Sequence, residues 1–373
     1  MLSSDFLDAL PNDIVRLYEN YSLTIIMDIA RRLAKMGKIT DTAAWQMQRL
    51  IESGQLYEKA ISELSKLSGL SRDELTKMFT QAGVKSLKFD DMIYKRAGLS
   101  PFPLNLSPAM AQVLSAGLAK TNGVMRNLTM TTAISAQRSF IAASDIAYLQ
   151  VSSGAMSYDQ AIRAAIKSVA AKGVSTIDYA TGHTDQLDVA IRRTVLTGVS
   201  QTAGVLQSRR ADEMGQDLVQ TSAHYGARPE HAIWQGRVFS RSGASRQYPD
   251  FVTSTGYGTG PGLGGWNCRH SFYPYFEGIS ENAYSEADRE NLRNKTVTLA
   301  GKEASMYDAT QIQRGLERKI RYWKRQSAAL GAGGLSSVAE DAKIKLYQSQ
   351  LREFVKQTGL NRQSPREQIN SPK

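Results

Sequence analysis

The sequence predicts a mainly α protein with a multi-helical body, a compact loop-rich α+β module at about 221–278, and a C-terminal αα-hairpin. Three observations predict it. Apolar residues recur three and four positions apart up to about Met214, and again from about Asp308, as amphipathic helices require. Between Thr221 and Gly278 that period breaks. This stretch gathers three of the four histidines, the sole cysteine, two of the four tryptophans, and six glycines from Gly256 to Gly265. Finally, Gly331-Ala332-Gly333-Gly334 parts two strongly periodic segments near the end.

Taken in order, Pro11-Asn12-Asp13 opens a helix that runs through Lys35, with Ile14, Leu17, Ile25, Ile29 and Leu33 as apolar positions and Gly37 as its stop. Shorter helices are expected at Asp41–Ser53 and Leu56–Leu67. Another begins at the capping box Ser71-Arg72-Asp73-Glu74 and ends at Gly83, and a further one covers Lys88–Arg96. Residues 60–79 have the cadence of a helix-turn-helix. Asp73 and Glu74 at the second start would repel phosphate, so ordinary helical packing is expected there. Prolines 101, 103 and 108 make a semi-rigid linker. An Ala/Ser/Thr-rich helix follows from Pro108 to Gln150, suited to close helix contacts, then helices at Tyr158–Lys172 and Gln186–Met214. Short alternations at Ile233–Phe239 and Ser271–Tyr275 read as strands. Helices at Asp308–Ala329 and Ser337–Thr358 complete the hairpin. Four regions result: 1–100, 101–220, 221–280 and 281–373.

Composition narrows the class. With 42% hydrophobic residues, the chain is apolar enough to fold. Cys268 has no partner for an internal disulfide, no uncharged run reads as a membrane span, and no secretion signal is expected before Arg16, the first basic residue. The net charge of +11 is uneven: residues 301–373 hold 14 basic and 7 acidic side chains, whereas residues 151–300 hold 15 and 14. On the first hairpin helix Ile312, Leu316, Ile320 and Trp323 share one face. Arg314, Arg318, Arg321 and Arg325 fall on the other. On the second, Ile344, Tyr347, Leu351 and Phe354 form the buried stripe, with Lys345, Arg352 and Lys356 pointing away. These seven cations suit a polyanion, foremost nucleic-acid backbone phosphate; a solvated outer face or an acidic protein surface is the alternative.

His224, His231, Cys268 and His270 make a second constellation. Cys268 and His270, two apart on an extended segment, face the same way, and the four side chains are chemically suited to tetrahedral zinc. The other reading is a packed, hydrogen-bonded cluster with no cofactor. A Cys268–His nucleophile pair lacks an orienting partner and an oxyanion motif. The glycine run has neither a P-loop ending nor a dinucleotide-loop context, and is expected to let backbone pass closely around Trp266.

Several stretches resemble the tailed-phage minor capsid protein 2 family, which is similar to the Mu F-like head-morphogenesis proteins. They are Lys85–Asp91, Leu187–Arg193, Ala223-His-Tyr-Gly-Ala-Arg-Pro-Glu-His231 with Trp234-Gln235-Gly236, Tyr248–Phe251, Thr255–Gly258, Gly265-Trp-Asn-Cys-Arg-His270, and Gln313–Lys324. The family pattern often has a second cysteine where this chain has Gly264. The resemblance implies a non-enzymatic structural component of the virion head, made in the host cytoplasm and placed in the capsid interior or at the portal vertex. Its implied partners are portal and major capsid proteins, and packaged double-stranded DNA through the basic hairpin, with no membrane. The alternative is a head-carried effector with nuclease-like or thiol-dependent activity in residues 221–278.

Overall fold

A computed structural model describes all residues except 40, 104–106, 174–175, 179–183, 300 and 370–373. Helix accounts for 69% of the chain and strand for 6%, so the class is mainly α. The helices are α1 (Ser4–Ala9), α2 (Asn12–Met36), α3 (Thr42–Arg96), α4 (Pro108–Ser152), α5 (Tyr158–Lys172), α6 (Leu187–Glu213), α7 (Pro229–Ala232), α8 (Phe251–Thr255), α9 (Glu286–Asn294), α10 (Met306–Ala332) and α11 (Val338–Thr358). Short strands pair as β1 (Thr176–Asp178) with β2 (Thr184–Gln186), and as β6 (Thr296–Leu299) with β7 (Lys302–Ser305). The third sheet contains β3 (Leu218–Thr221), β4 (Val238–Ser240) and β5 (Phe272–Pro274). Two compact units emerge, each assembled from separated stretches that cut across the composition boundaries at 100, 220 and 280.

The first unit comprises Met1–Asp13, Arg72–Val124 and Arg192–Gln311. Its sheet has the order β4-β3-β5, antiparallel throughout, with Val219 facing Phe239 on one side and Pro274 on the other. Val219, Phe239 and Phe272 from the three strands join Trp234, Phe251, Leu263 and Cys268 in one buried cluster, against which Tyr257 packs. A second cluster joins Leu87, Met110 and Leu206. Here the small residues of α4 act as expected. A Cβ on Gly117 would lie 2.0 Å from the Thr202 hydroxyl, and one on Gly198 would lie 2.1 Å from the Thr121 hydroxyl. Each helix thus offers one glycine notch and one threonine knob, four residues apart.

The α3 segment corrects the expectation of several short helices: from Thr42 to Arg96 it is continuous. Ser71 is no cap, because its hydroxyl donates to the Ser68 carbonyl inside the helix. The helix-turn-helix cadence at 60–79 is likewise unbroken helix. A glycine inside a helix costs only about 1 kcal/mol relative to alanine, which tertiary packing readily offsets. At Gly83 the packing is visible, since a Cβ there would come within 3.1 Å of both Leu114 and Leu206.

Asp90, fully buried in this unit, accepts two hydrogen bonds from Gln207 Nε2, at 3.0 and 3.2 Å. Burial pushes its carboxyl up to about 8; the Gln207 bond, the Met1 amine and Arg210 oppose the rise, while Asp91 adds to it. The ordinary carboxyl of the unfolded chain titrates near 3.8. Between these values the folded state holds the extra proton, so this group's contribution to stability falls as pH rises from about 4 to 8. Asp90→Asn is therefore expected to flatten the melting temperature against pH over that window, and to be the more stable form at pH 8 by a few kcal/mol. An unchanged slope in thermal melts from pH 5 to 8 would refute this.

The second unit comprises Ile14–Ser71, Met125–Ile191 and Ile312–Lys373. Its α2 segment buries Ile14, Ile25, Ile29 and Leu33 as the periodicity predicts. The hairpin forms too. Ser327 donates to Asp341 at 2.6 Å, and the Lys319 ammonium sits 5.2 Å over the Tyr347 ring, as two antiparallel helices require. Its turn begins later than expected, because Gly331 and Ala332 continue α10. Gly334 then reverses the chain at φ +73°. Buried Glu340 at the start of α11 is paired by Lys167 at 2.8 Å and Arg163 at 3.1 Å, both from α5. The proline linker lies partly outside the described residues.

Candidate functional site

His224, His231, Cys268 and His270 are all carried by the first unit, and the last three are aimed by local devices. His231 is the third residue of the single-turn helix α7, which Pro229 starts; its N–H bonds back to the Arg228 carbonyl. The stretch Ile233–Phe239 is therefore not one strand: it leaves α7 through a turn, and only Val238 onward pairs. Cys268 follows a tight turn in which Asn267 takes φ +54°, unusual for a residue with a side chain. His270, two residues before β5, points its backbone N–H at the Cys268 sulfur, at 3.5 Å.

Glycine makes this turn possible. A Cβ on Gly262 would stand 1.9 Å from the Gly256 carbonyl oxygen, one on Gly265 2.1 Å from the Gly260 oxygen, and one on Gly260 2.5 Å from the Trp266 ring. The run does let backbone close around Trp266, as expected, and it also lays backbone directly on backbone.

Three of the four candidate ligands converge. Sγ of Cys268 lies 3.7 Å from His231 Nδ1 and 3.6 Å from His270 Nδ1, and the three donor atoms lie within 4.8 Å of one another. All three side chains are buried. The far nitrogens orient the rings. His231 Nε2 lies 2.8 Å from the Pro261 carbonyl, which only accepts. His270 Nε2 lies 3.0 Å from Gln235 Oε1, the atom that also accepts the His224 backbone N–H. His270 Nε2 therefore carries hydrogen and its Nδ1 lone pair faces the sulfur, whereas His231 Nε2 has both an acceptor, the Pro261 carbonyl, and a donor, the Arg228 guanidinium at 3.1 Å, beside it.

His224 stands apart. Its ring stacks on His270 at 4.3 Å, its Nδ1 faces the Tyr225 carbonyl at 2.9 Å, and its buried Nε2 meets no partner among the described residues. Trp234 walls the cluster, 4.7 Å from the His231 ring and 4.8 Å from that of His270. Burial holds His270 well below the usual imidazole range, lowers His231, takes His224 down to about 4, and pushes the Cys268 thiol up. A nucleophilic cysteine needs access and a lowered pKa; Cys268 is 1% exposed and shifted the other way.

The sequence reading passed over Gln235 and the Pro261 carbonyl. Gln235 was in plain sight within Trp234-Gln235-Gly236, but nothing in its spacing signals a bridge between His224 and His270.

In the second unit the arginine row of α10 divides. Arg318 is exposed and Arg314 half-buried. Arg321 is 9% exposed, with its guanidinium 3.4 Å from Asp188 and bonded to the Arg366 carbonyl. Arg325 is desolvated enough to lower its pKa, with Asp188 and Glu19 nearby. Glu317 is buried on the same side, its carboxyl raised by burial against the pull of Arg366, Arg321 and Arg314. The expected single solvent-facing stripe is thus half interior. Ile312, expected inside, is exposed. On α11 the expectation holds in part: Leu351 and Phe354 are buried, Ile344 and Tyr347 are half-buried, and Lys345, Arg352 and Lys356 are exposed.

No described helix is long and apolar enough to cross a membrane. No solved structure matches the chain significantly. The family described as phage minor capsid protein 2 matches residues 2–356. Among curated proteins, a "structural protein" of Lactococcus phage LL-H is 27% identical over 96% of this chain and 98% of the relative. A second "structural protein", from Lactococcus phage mv4, is 35% identical over 33% of this chain and 93% of the relative. With a match that spans nearly its whole length, the chain belongs to the phage minor capsid protein 2 family.

Proposed function

We propose that this minor capsid protein acts by binding, without chemical turnover, in the virion head at the capsid interior or portal vertex. Its partners in that reading are portal and major capsid proteins and the phosphate backbone of packaged double-stranded DNA. The observation that carries the DNA contact is the set of exposed cations on the hairpin: Arg318 on α10, and Lys345, Arg352 and Lys356 on α11. The latter three are spaced seven and four apart, one side of a helix, and nothing about them favours base-edge readout. Arg321 belongs instead to the interior of the unit, where it holds the tail and Asp188, and Arg325 is half-buried with Asp188 and Glu19 nearby.

Binding of the full-length protein to duplex DNA, followed by fluorescence anisotropy across a salt series, tests this. Contact through four cations predicts a log–log slope of about −3 to −4, at about −0.9 per phosphate neutralised. The combined Lys345→Glu, Arg352→Glu and Lys356→Glu variant is expected to remove most of that slope and keep its thermal stability. Binding that ignores salt would overturn the phosphate reading.

A further inference from the structure

We propose that His231, Cys268 and His270 form a binding site for one divalent transition-metal ion of the zinc class, held through two imidazole Nδ1 atoms and the cysteine sulfur. Three buried donor atoms converge: Nδ1 of His231 and Nδ1 of His270 both face the Cys268 sulfur. Nε2 of His270 is bound to Gln235 Oε1, so its Nδ1 presents a lone pair to that sulfur. Nε2 of His231 lies between the Pro261 carbonyl at 2.8 Å and the Arg228 guanidinium at 3.1 Å, and its bond to the carbonyl frees the Nδ1 lone pair for a metal. A cation at the centre satisfies all three donors together.

Distances agree. Tetrahedral zinc, with bonds of about 2.3 Å to sulfur and 2.0–2.1 Å to nitrogen, places sulfur and nitrogen about 3.5 Å apart. The two sulfur–nitrogen separations here are 3.6 and 3.7 Å. Outer contacts fit as well: ligating histidines characteristically donate their second N–H to a carbonyl or other fixed acceptor, which orients the ring and raises its basicity. The His270 backbone N–H aimed at the sulfur stabilises a thiolate in the same way. Binding converts Cys268 to its thiolate, with the S–H bond broken, the metal–sulfur bond formed and one proton released to solvent. Three protein donors leave one tetrahedral position for water. His224, whose ring stacks on His270 and whose Nδ1 faces the Tyr225 carbonyl, stands outside the three converging donors.

The test uses the full-length protein and does not depend on DNA binding. Protein purified without added metal is expected to carry about one zinc per chain by elemental mass spectrometry. After chelation, titration with Co²⁺ is expected to give a sulfur-to-cobalt charge-transfer band in the near ultraviolet. Cys268→Ser, close to isosteric, should lose that band and weaken Co²⁺ binding by at least about 100-fold, more than loss of an outer-shell contact costs. His224→Ala should keep both. Less than about a tenth of an equivalent of metal with no charge-transfer band in the native chain would overturn the site, leaving a proton on the sulfur. A band that survives in Cys268→Ser, or is lost equally in His224→Ala, would overturn the ligand assignment.

Discussion

Gly262→Ala is expected to destabilise the first unit by at least about 3 kcal/mol, the range of strained-backbone and overpacked substitutions. The added methyl has no side chain to displace. It would lie 1.9 Å from the Gly256 oxygen and 2.3 Å from its carbonyl carbon, so one strand of the loop must move off the other. That movement would carry the Leu263 N–H away from the Thr255 carbonyl, now 3.0 Å apart, and draw Leu263 out of the cluster it shares with Cys268. Gly258→Ala is the internal control: its φ of +89° is also costly for alanine, but nothing lies within 4 Å of its Cβ position. Gly258→Ala should cost about 1–2 kcal/mol, through backbone strain alone. Differential scanning calorimetry of both variants separates the effects. Equal melting temperatures would show that backbone contact is not what demands glycine at Gly262.

Arg32→Ala is expected to cost the second unit about 3–5 kcal/mol, the penalty for removing one member of a buried ionic network. The Arg32 guanidinium, 9% exposed, bonds Asp28 at 2.7 Å, the Glu52 carboxylate and backbone carbonyl, and Gln55 at 3.2 Å. Lys59 reaches Asp28 from the other side at 2.7 Å. Without Arg32, Glu52 keeps only Gln48 at 2.9 Å and the outlying Lys35 ammonium at 3.5 Å while remaining buried. The isolated charge, more than the lost attraction, sets the magnitude. Replacing both partners, as Arg32→Met with Glu52→Met, is therefore expected to recover most of the stability, giving a coupling energy well above 1 kcal/mol in a double-mutant cycle. Additive losses in urea unfolding would refute the network.

These two sites differ in how far the sequence exposes them. The glycine run is conspicuous, and its role of close backbone passage can be anticipated from glycine's lack of a Cβ. Which pairs of glycines touch is not written in the spacing, because Gly256 meets Gly262 only after residues 257–261 fold back, with the Thr259 N–H on the Gly256 carbonyl and the Leu263 N–H on that of Thr255. The Arg32 network is invisible in the sequence, since Asp28 and Arg32 read as an ordinary i,i+4 surface pair until α3 covers them. Strands of three or four residues, such as β3 and the β6–β7 pair, are too short to show an alternation. The breaks expected in α3 rested on local cues, each worth little against the contacts of a long helix.

By itself the sequence determined the helical class, the ends of α2, α5 and α6 to within a residue or two, the hairpin, the family and the region where the chemistry gathers. Those features follow from local periods and from side chains at short separations, which survive any arrangement of the rest. Tertiary structure alone decided which arginines of α10 face water, because helical spacing assigns a face but not what covers it. It decided the histidines in the same way. Spacing set Cys268 beside His270, but only the fold brings Nδ1 of His231 and of His270 to one sulfur, and the contacts to the Pro261 carbonyl and Gln235 that orient the two rings span 30 and 35 residues of chain.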